Sequence, residues 1–164
     1  MMPISERVMA AVLDQLSTIT LANGYETDAG ANAKRLMPSA ELDGLPALVL
    51  TETSELPNQG SATDNSASMS IALGFAVELH GAPDAEDTPA WLGRARADVK
   101  RCLLGWSAGL TGDRKRGVRD ADGQIGPITY LGSDLVAQPK GAYTAAINVR
   151  FVCTYKETFG DPYH

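Results

Sequence analysis

The sequence predicts an α+β fold: a mostly antiparallel sheet of four to five strands with two helices packed on it. Three observations carry this. Residues 69 to 79 alternate apolar with small or polar side chains at period two, and stretches beginning at Pro3 and Thr88 repeat apolar residues at helical spacing. The remaining strand-like runs follow one another through polar loops rather than βαβ units, and no internal repeat is present.

Taken in order, Ile4, Val8, Ala11, Val12, Leu16 and Ile19 form an apolar stripe interleaved with Glu6, Arg7, Asp14 and Gln15. This predicts a helix from Pro3 or Ser5 that closes near Asn23-Gly24, residue types that accept the left-handed conformation. Residues 25 to 37 suit a half-exposed strand or a short helix, with the strand favoured, and end at Met37-Pro38. Residues 46 to 53 read as a strand entered through Pro46, where the missing N–H does least harm. Ser54 to Ser68 is polar and turn-rich, a long loop.

Met69, Ile71, Leu73, Phe75, Val77 and Leu79 then define the clearest strand. Thr88-Pro89 supplies an N-cap and a proline at the first helical position. Trp91, Leu92, Ala95, Val99, Cys102, Leu103 and Trp106 follow on one stripe to about Gly105. The opposite face carries Arg94, Arg96, Lys100 and Arg101, interrupted by Asp98, and reads as solvated. Residues 107 to 127 hold five glycines and read as a loop. Residues 128–137 and 145–155 form an antiparallel pair across Gln138-Pro-Lys-Gly. The organisation is one domain over 1–164, with long loops near 54–68 and 107–127 and an extended tail over 157–164.

A chain of 164 residues buries about 70% of its unfolded surface, so its core needs no disulfide or metal staple. Fourteen basic against 20 acidic residues give a net charge of −6 and a pI near 4.8, the wrong sign for wrapping DNA or binding a membrane surface. The best apolar run, Ile71 to Val77, falls well short of the roughly 20 residues that span a bilayer. Glu6, Arg7 and Asp14 stand where a secretory signal needs an uncharged centre, so a soluble, unsecreted chain is expected. Cys102 and Cys153 occupy apolar positions and read as plain core residues of a reducing compartment.

The supply of catalytic groups is thin: Cys102, Cys153, His80 at a strand end, and His164 as the last residue. Asp120-Ala-Asp-Gly has the start of a calcium-loop spacing, yet Leu131 stands where the bidentate glutamate belongs, so a turn is the better reading. Gly112-Asp-Arg-Lys-Arg-Gly117 lacks the lysine of a phosphate loop. Arg114, Lys115, Arg116 and Arg119 would suit phosphate or an acidic protein face but lack interleaved aromatics, which favours a solvated loop. No catalytic residue, cofactor or metal is expected.

Read together, Ile19-Thr-Leu-Ala-Asn-Gly-Tyr-Glu-Thr-Asp-Ala-Gly30, Gly44-Leu-Pro-Ala-Leu-Val-Leu-Thr-Glu, the alternating strand, the Trp91 helix and the closing hairpin resemble the tail terminator proteins of long-tailed bacteriophages. The resemblance lies in the Asn-Gly-Tyr-x-Thr-Asp-x-Gly element and the order of elements over residues 4 to 156. It implies a non-enzymatic subunit of a homohexameric ring that sits on the tail tube, stops its growth and presents a joining face to the head. The implied partners are its own copies, the major tail tube protein and a head-completion or neck protein. The genome would pass through the lumen without sequence-specific binding. The implied location is the head-proximal end of the virion tail, assembled in the host cytoplasm.

A closed ring needs a heterologous interface on every subunit, and long loops and termini are ready sources. The interface candidates are Leu56, Asn58, Gln59, Asp64 and Asn65 in the first loop; Arg114, Lys115, Arg116 and Arg119 in the second; and Phe159 and Tyr163 in the tail. Tyr25, Thr27 and Asp28 either bond across subunits or fix a local turn. Three other classes stay open: another head-to-tail connector, a small oligomeric enzyme using Cys153 or His80, and an adaptor binding a peptide along a sheet edge.

Overall fold

Apolar residues three and four apart decide the first element. The computed structural model describes residues 1–35, 44, 46–57, 68–81, 87–110, 118–120, 123–135, 146–158 and 160–163. Within it, helix α1 spans Ile4–Leu16 and buries Ile4, Val8, Met9, Val12 and Leu16. It stops well before Asn23-Gly24: the backbone bonds tighten to the three-residue spacing at Thr18→Gln15 and Ile19→Leu16, and hydroxyl side chains add second donors to its last carbonyls. Ser17 Oγ donates to Leu13 O at 2.9 Å and Thr18 Oγ1 to Gln15 O at 2.7 Å. The Asn-Gly pair instead closes a 3-10 turn over Leu21–Asn23, with Gly24 at φ +80°.

At the start of α1, Pro3 offers no side-chain cap, and the free Ile4 N–H donates to the Pro162 carbonyl at 3.0 Å. The last described residues therefore fold back onto α1, helped by a bridge between Thr158 and Asp161, rather than extending away. Phe159 and His164 lie outside the described residues.

Among the described residues seven strands follow: β1 (Ala33–Arg35), β2 (Ala47–Pro57), β3 (Ser68–His80), β4 (Val118–Asp120), β5 (Gly123–Gly126), β6 (Ile128–Leu135) and β7 (Ala146–Thr158). Five of them make one sheet in the order β1-β2-β3-β7-β6, in which β1 and β2 pair parallel and every other pair is antiparallel. The expected α+β architecture is present, with helix α2 (Thr88–Ser107) as its second helix. Four local expectations need correction. Residues 25 to 35 give mostly turn, including a 3-10 turn over Ala29–Asn32, and contribute a strand of only three residues. The strand entered at Pro46 runs on to Pro57, because a bulge between Glu52 and Ser54 shifts the register and breaks the alternation visible in the sequence. The stretch read as a loop over 107–127 holds the separate β4–β5 hairpin, in which Gly126 lies so close to the Thr154 carbonyl that no Cβ would fit. The position before α2 is Asp87, not Thr88, and makes no capping bond; its carboxylate accepts from Arg94 at 2.8 Å instead.

Direct cross-strand pairing places Leu73, Phe75, Val77 and Leu79 of β3 on the same face as Cys153, Phe151, Val149 and Ile147 of β7. Phe75 and Phe151 stack at 5.6 Å between centroids, and Tyr130 of β6 tilts against Phe151 at 5.7 Å. Both helices join these residues in one continuous core. The reverse face of β3 carries only small side chains along its middle, Ala72, Gly74 and Ala76.

One glycine fixes how the turn after α1 meets its end. Gly30 N–H donates to Ile19 O at 2.9 Å, and a Cβ at this position would overlap the Leu16 carbonyl oxygen. Backbone cannot retreat as a side-chain tip can, so Gly30→Ala should destabilise the protein by about 1–3 kcal/mol, read from urea unfolding.

Candidate functional site

Every distinctive residue of the Asn-Gly-Tyr-x-Thr-Asp-x-Gly element has a partner within the chain. Asn23 Nδ2 donates to Thr18 O at 2.8 Å, and Asp28 Oδ1 accepts from the Leu21 N–H at 2.8 Å. Arg101 of α2 donates to Gly24 O at 2.9 Å and lies over the Tyr25 ring, 5.3 Å from its centroid. Burial of the phenol pushes the Tyr25 pKa up to about 12.

The centre of this arrangement is Asp98. The residue is 2% exposed, and its carboxylate accepts from Thr27 Oγ1 at 2.8 Å and from the Glu26 N–H at 3.1 Å. In the sequence Asp98 looks like a break in a solvated basic face. Its spacing held the signal to the contrary: Asp98 falls three residues after Ala95 and four before Cys102, on the apolar stripe itself, where a charge needs partners. Truncation leaves the buried Thr27 hydroxyl and the part-buried Glu26 N–H without their acceptor. Asp98→Ala should therefore cost about 3 kcal/mol of stability, measured by thermal or urea unfolding against Thr27→Val, which removes only one of the bonds.

The remaining interface candidates are placed as follows. Leu56 is exposed on the far half of β2. Tyr163 is partly exposed and its N–H donates to Asp161 Oδ1. Arg119 lies in β4. Asn58, Gln59, Asp64, Asn65, Arg114, Lys115, Arg116 and Phe159 lie outside the described residues.

The nucleophile candidates are kept apart by the sheet. His80 stands opposite Ala146 and contacts Glu78 at 3.1 Å, whereas Cys153 stands opposite Leu73, roughly 20 Å away at about 3.3 Å per residue. Cys102 sits in α2, with its Sγ 3.3 Å from Gln15 O. Burial raises both thiols, Cys153 to about 12. Thiolate is scarce at neutral pH for such groups, so a thiol reagent at pH 8 should leave both cysteines unmodified in the native protein, and labelling should follow unfolding. Among the described residues no group of three or more His, Cys, Asp or Glu is arranged to hold a metal ion. A shallow surface depression of about 420 Å³ between Ser70, Ile125, Pro127, Thr154 and Lys156 brings no acid and base together.

What the site does offer is two sheet edges that no strand covers among the described residues. β1 covers β2 only from Leu48 to Leu50, so Thr51–Pro57 has no strand on that side among the described residues. This free stretch is acidic. Glu52 lies 3.6 Å from Arg35, which also pairs with Glu6, and Glu55 accepts the Tyr155 hydroxyl at 2.6 Å. Burial first, then the nearby Glu55 carboxylate, raises the Glu52 pKa, and the same two causes raise that of Glu157. The Arg35 guanidinium holds the Glu6 carboxyl below its usual range. At the opposite edge, β6 exposes Leu131 and Leu135, and Lys100 of α2 lies 4.6 Å from the Tyr130 ring centroid.

A fold with this layout has been seen in a virus-like particle. The chain superposes on one from the virion of a native gene transfer agent particle with a TM-score of 0.60, covering 94% of this chain and 98% of that one. Only 15% of the aligned residues are identical, so the likeness is one of fold. No protein-family model and no curated protein matches the sequence.

Proposed function

We propose that the chain is a structural subunit of a phage-type particle that acts by assembly and turns over no substrate. Its copies form a ring, a hexamer in the family it resembles, on the last ring of a tail tube. Binding there buries the surface on which the next tube subunit would dock, and so ends polymerisation at a fixed length. The exposed side of the ring then meets a head-completion or neck protein at the head-proximal end of the tail. The observation that carries this reading is the shared fold with a chain of the gene transfer agent virion over nearly the full length of both.

Three features of the molecule support it. The sheet has helices on one face and strand edges at both ends, the form a ring subunit needs for a heterologous contact. The nucleophile candidates are buried or far apart, which removes the motive for an enzyme built on Cys153 and His80. The net charge of −6 suits a lumen through which a duplex slides without sticking.

Electron microscopy of particles assembled without this protein tests the proposal. Overlong tubes are the expected result. Tails of normal length that lack heads would instead assign the chain to a connector on the head side.

A further inference from the structure

The two open edges of the sheet differ in charge, and the difference has a direction. Thr51–Pro57 of β2 carries Glu52 and Glu55 and no cation of its own. The neighbouring Arg35, 3.6 Å from Glu52, is shared with Glu6, so three carboxylates face one guanidinium and the edge keeps an acidic excess. Both β2 carboxylates lie on the helix-bearing face, since Glu52 pairs with Phe75 and Glu55 with Leu73. The β6 edge carries one acid, Asp134, already neutralised by Arg150 at 3.0 Å. Beside β6 on the same face, Tyr130 sits under Lys100, and Arg96 stands exposed one helical turn before Lys100. Each edge also leaves apolar surface uncovered, at Leu56 on one side and at Leu131 and Leu135 on the other. Exposed leucines on unpaired strand edges are a liability that a partner strand removes.

Strand direction fits a head-to-tail arrangement. β2 runs with β7 and against β6. Rotation about an axis along the strands preserves these directions, so β2 of one copy would meet β6 of the next as an antiparallel pair. Self-pairing of two β2 edges would instead crowd Glu52 and Glu55 against their own copies.

The geometry points to a second copy of this chain as the occupant of both edges: Thr51–Pro57 of one copy adds to Ile128–Leu135 of the next, with Glu52 and Glu55 meeting Arg96 and Lys100. This pairing rests on the ring reading above and supplies its interface.

The test uses two full-length variants, Glu52→Lys with Glu55→Lys and Arg96→Glu with Lys100→Glu, followed by sedimentation velocity across protein concentration. Wild type is expected to associate as its concentration rises. Each variant alone places like charges at the joint and weakens association by at least about tenfold. An equimolar mixture restores assembly, because each variant then meets a complementary edge on the other. Circular dichroism checks the fold, and the single changes Glu52→Lys and Arg96→Glu, both at exposed positions, replace any double variant that melts early. Variants that associate like wild type, or a mixture that stays dissociated, overturn the edge pairing and leave the ring reading standing. A wild-type chain that remains monomeric at every concentration also overturns it. Whether that chain still limits tube length then decides the proposed function separately.

Discussion

The arrangement of the whole molecule depends on one buried carboxylate. An unpartnered Asp98 would cost several kcal/mol in the interior, and the turn after α1 supplies the partners that make its burial tolerable. Because those partners are the Glu26 N–H and the Thr27 hydroxyl, the turn and α2 can pack only in one register. That register sets the rest of the helix. Arg101 is brought over Tyr25 on one flank, while Lys100 is directed to Tyr130 and β6 on the other. The solvated basic face expected from the sequence is thus divided between a flank that braces the turn and a flank beside the sheet edge.

The elements with uninterrupted periodicity were legible from the residues alone. The alternation from Met69 to Leu79 and the stripe from Trp91 to Trp106 hold in β3 and α2, and the β6–β7 pair forms as read. Boundaries set by single side chains were not. α1 ends early where its bonding tightens at Thr18 and Ile19 and the Ser17 and Thr18 hydroxyls add to its last carbonyls, an outcome that propensity averaged over a window does not register. One extra residue at the β2 bulge moves Glu55 onto the face that alternation assigns elsewhere, so a paired strand looks like a polar loop. The β4–β5 hairpin hides among glycines because one of them, Gly126, is needed for close backbone contact with Thr154 and not for turning.

The candidate site divides along the same line. The Asn-Gly-Tyr-x-Thr-Asp-x-Gly element stands out in the sequence because backbone geometry and tight bonding restrict every position, and it owes that distinctiveness to internal bracing. The sheet edges have no comparable mark. Nothing in Thr51–Pro57 reveals its open side until β1 is seen to cover only Leu48 to Leu50. This also explains how 15% identity is compatible with a shared fold: a few bracing contacts and the pattern of buried positions specify the layers, and the other residues are free to vary.

The order of strands in the sheet differs from their order in the chain, and this bears on synthesis. β3 is paired along its full length with β7, although α2, the β4–β5 hairpin and β6 intervene in sequence. A ribosome delivers β7 after every other strand, so the middle of the sheet is the last part to close, and β6 has no neighbour in the sheet until it does. A nascent chain therefore cannot display a finished β6 edge. Closure of the sheet is therefore deferred until translation has passed residue 158.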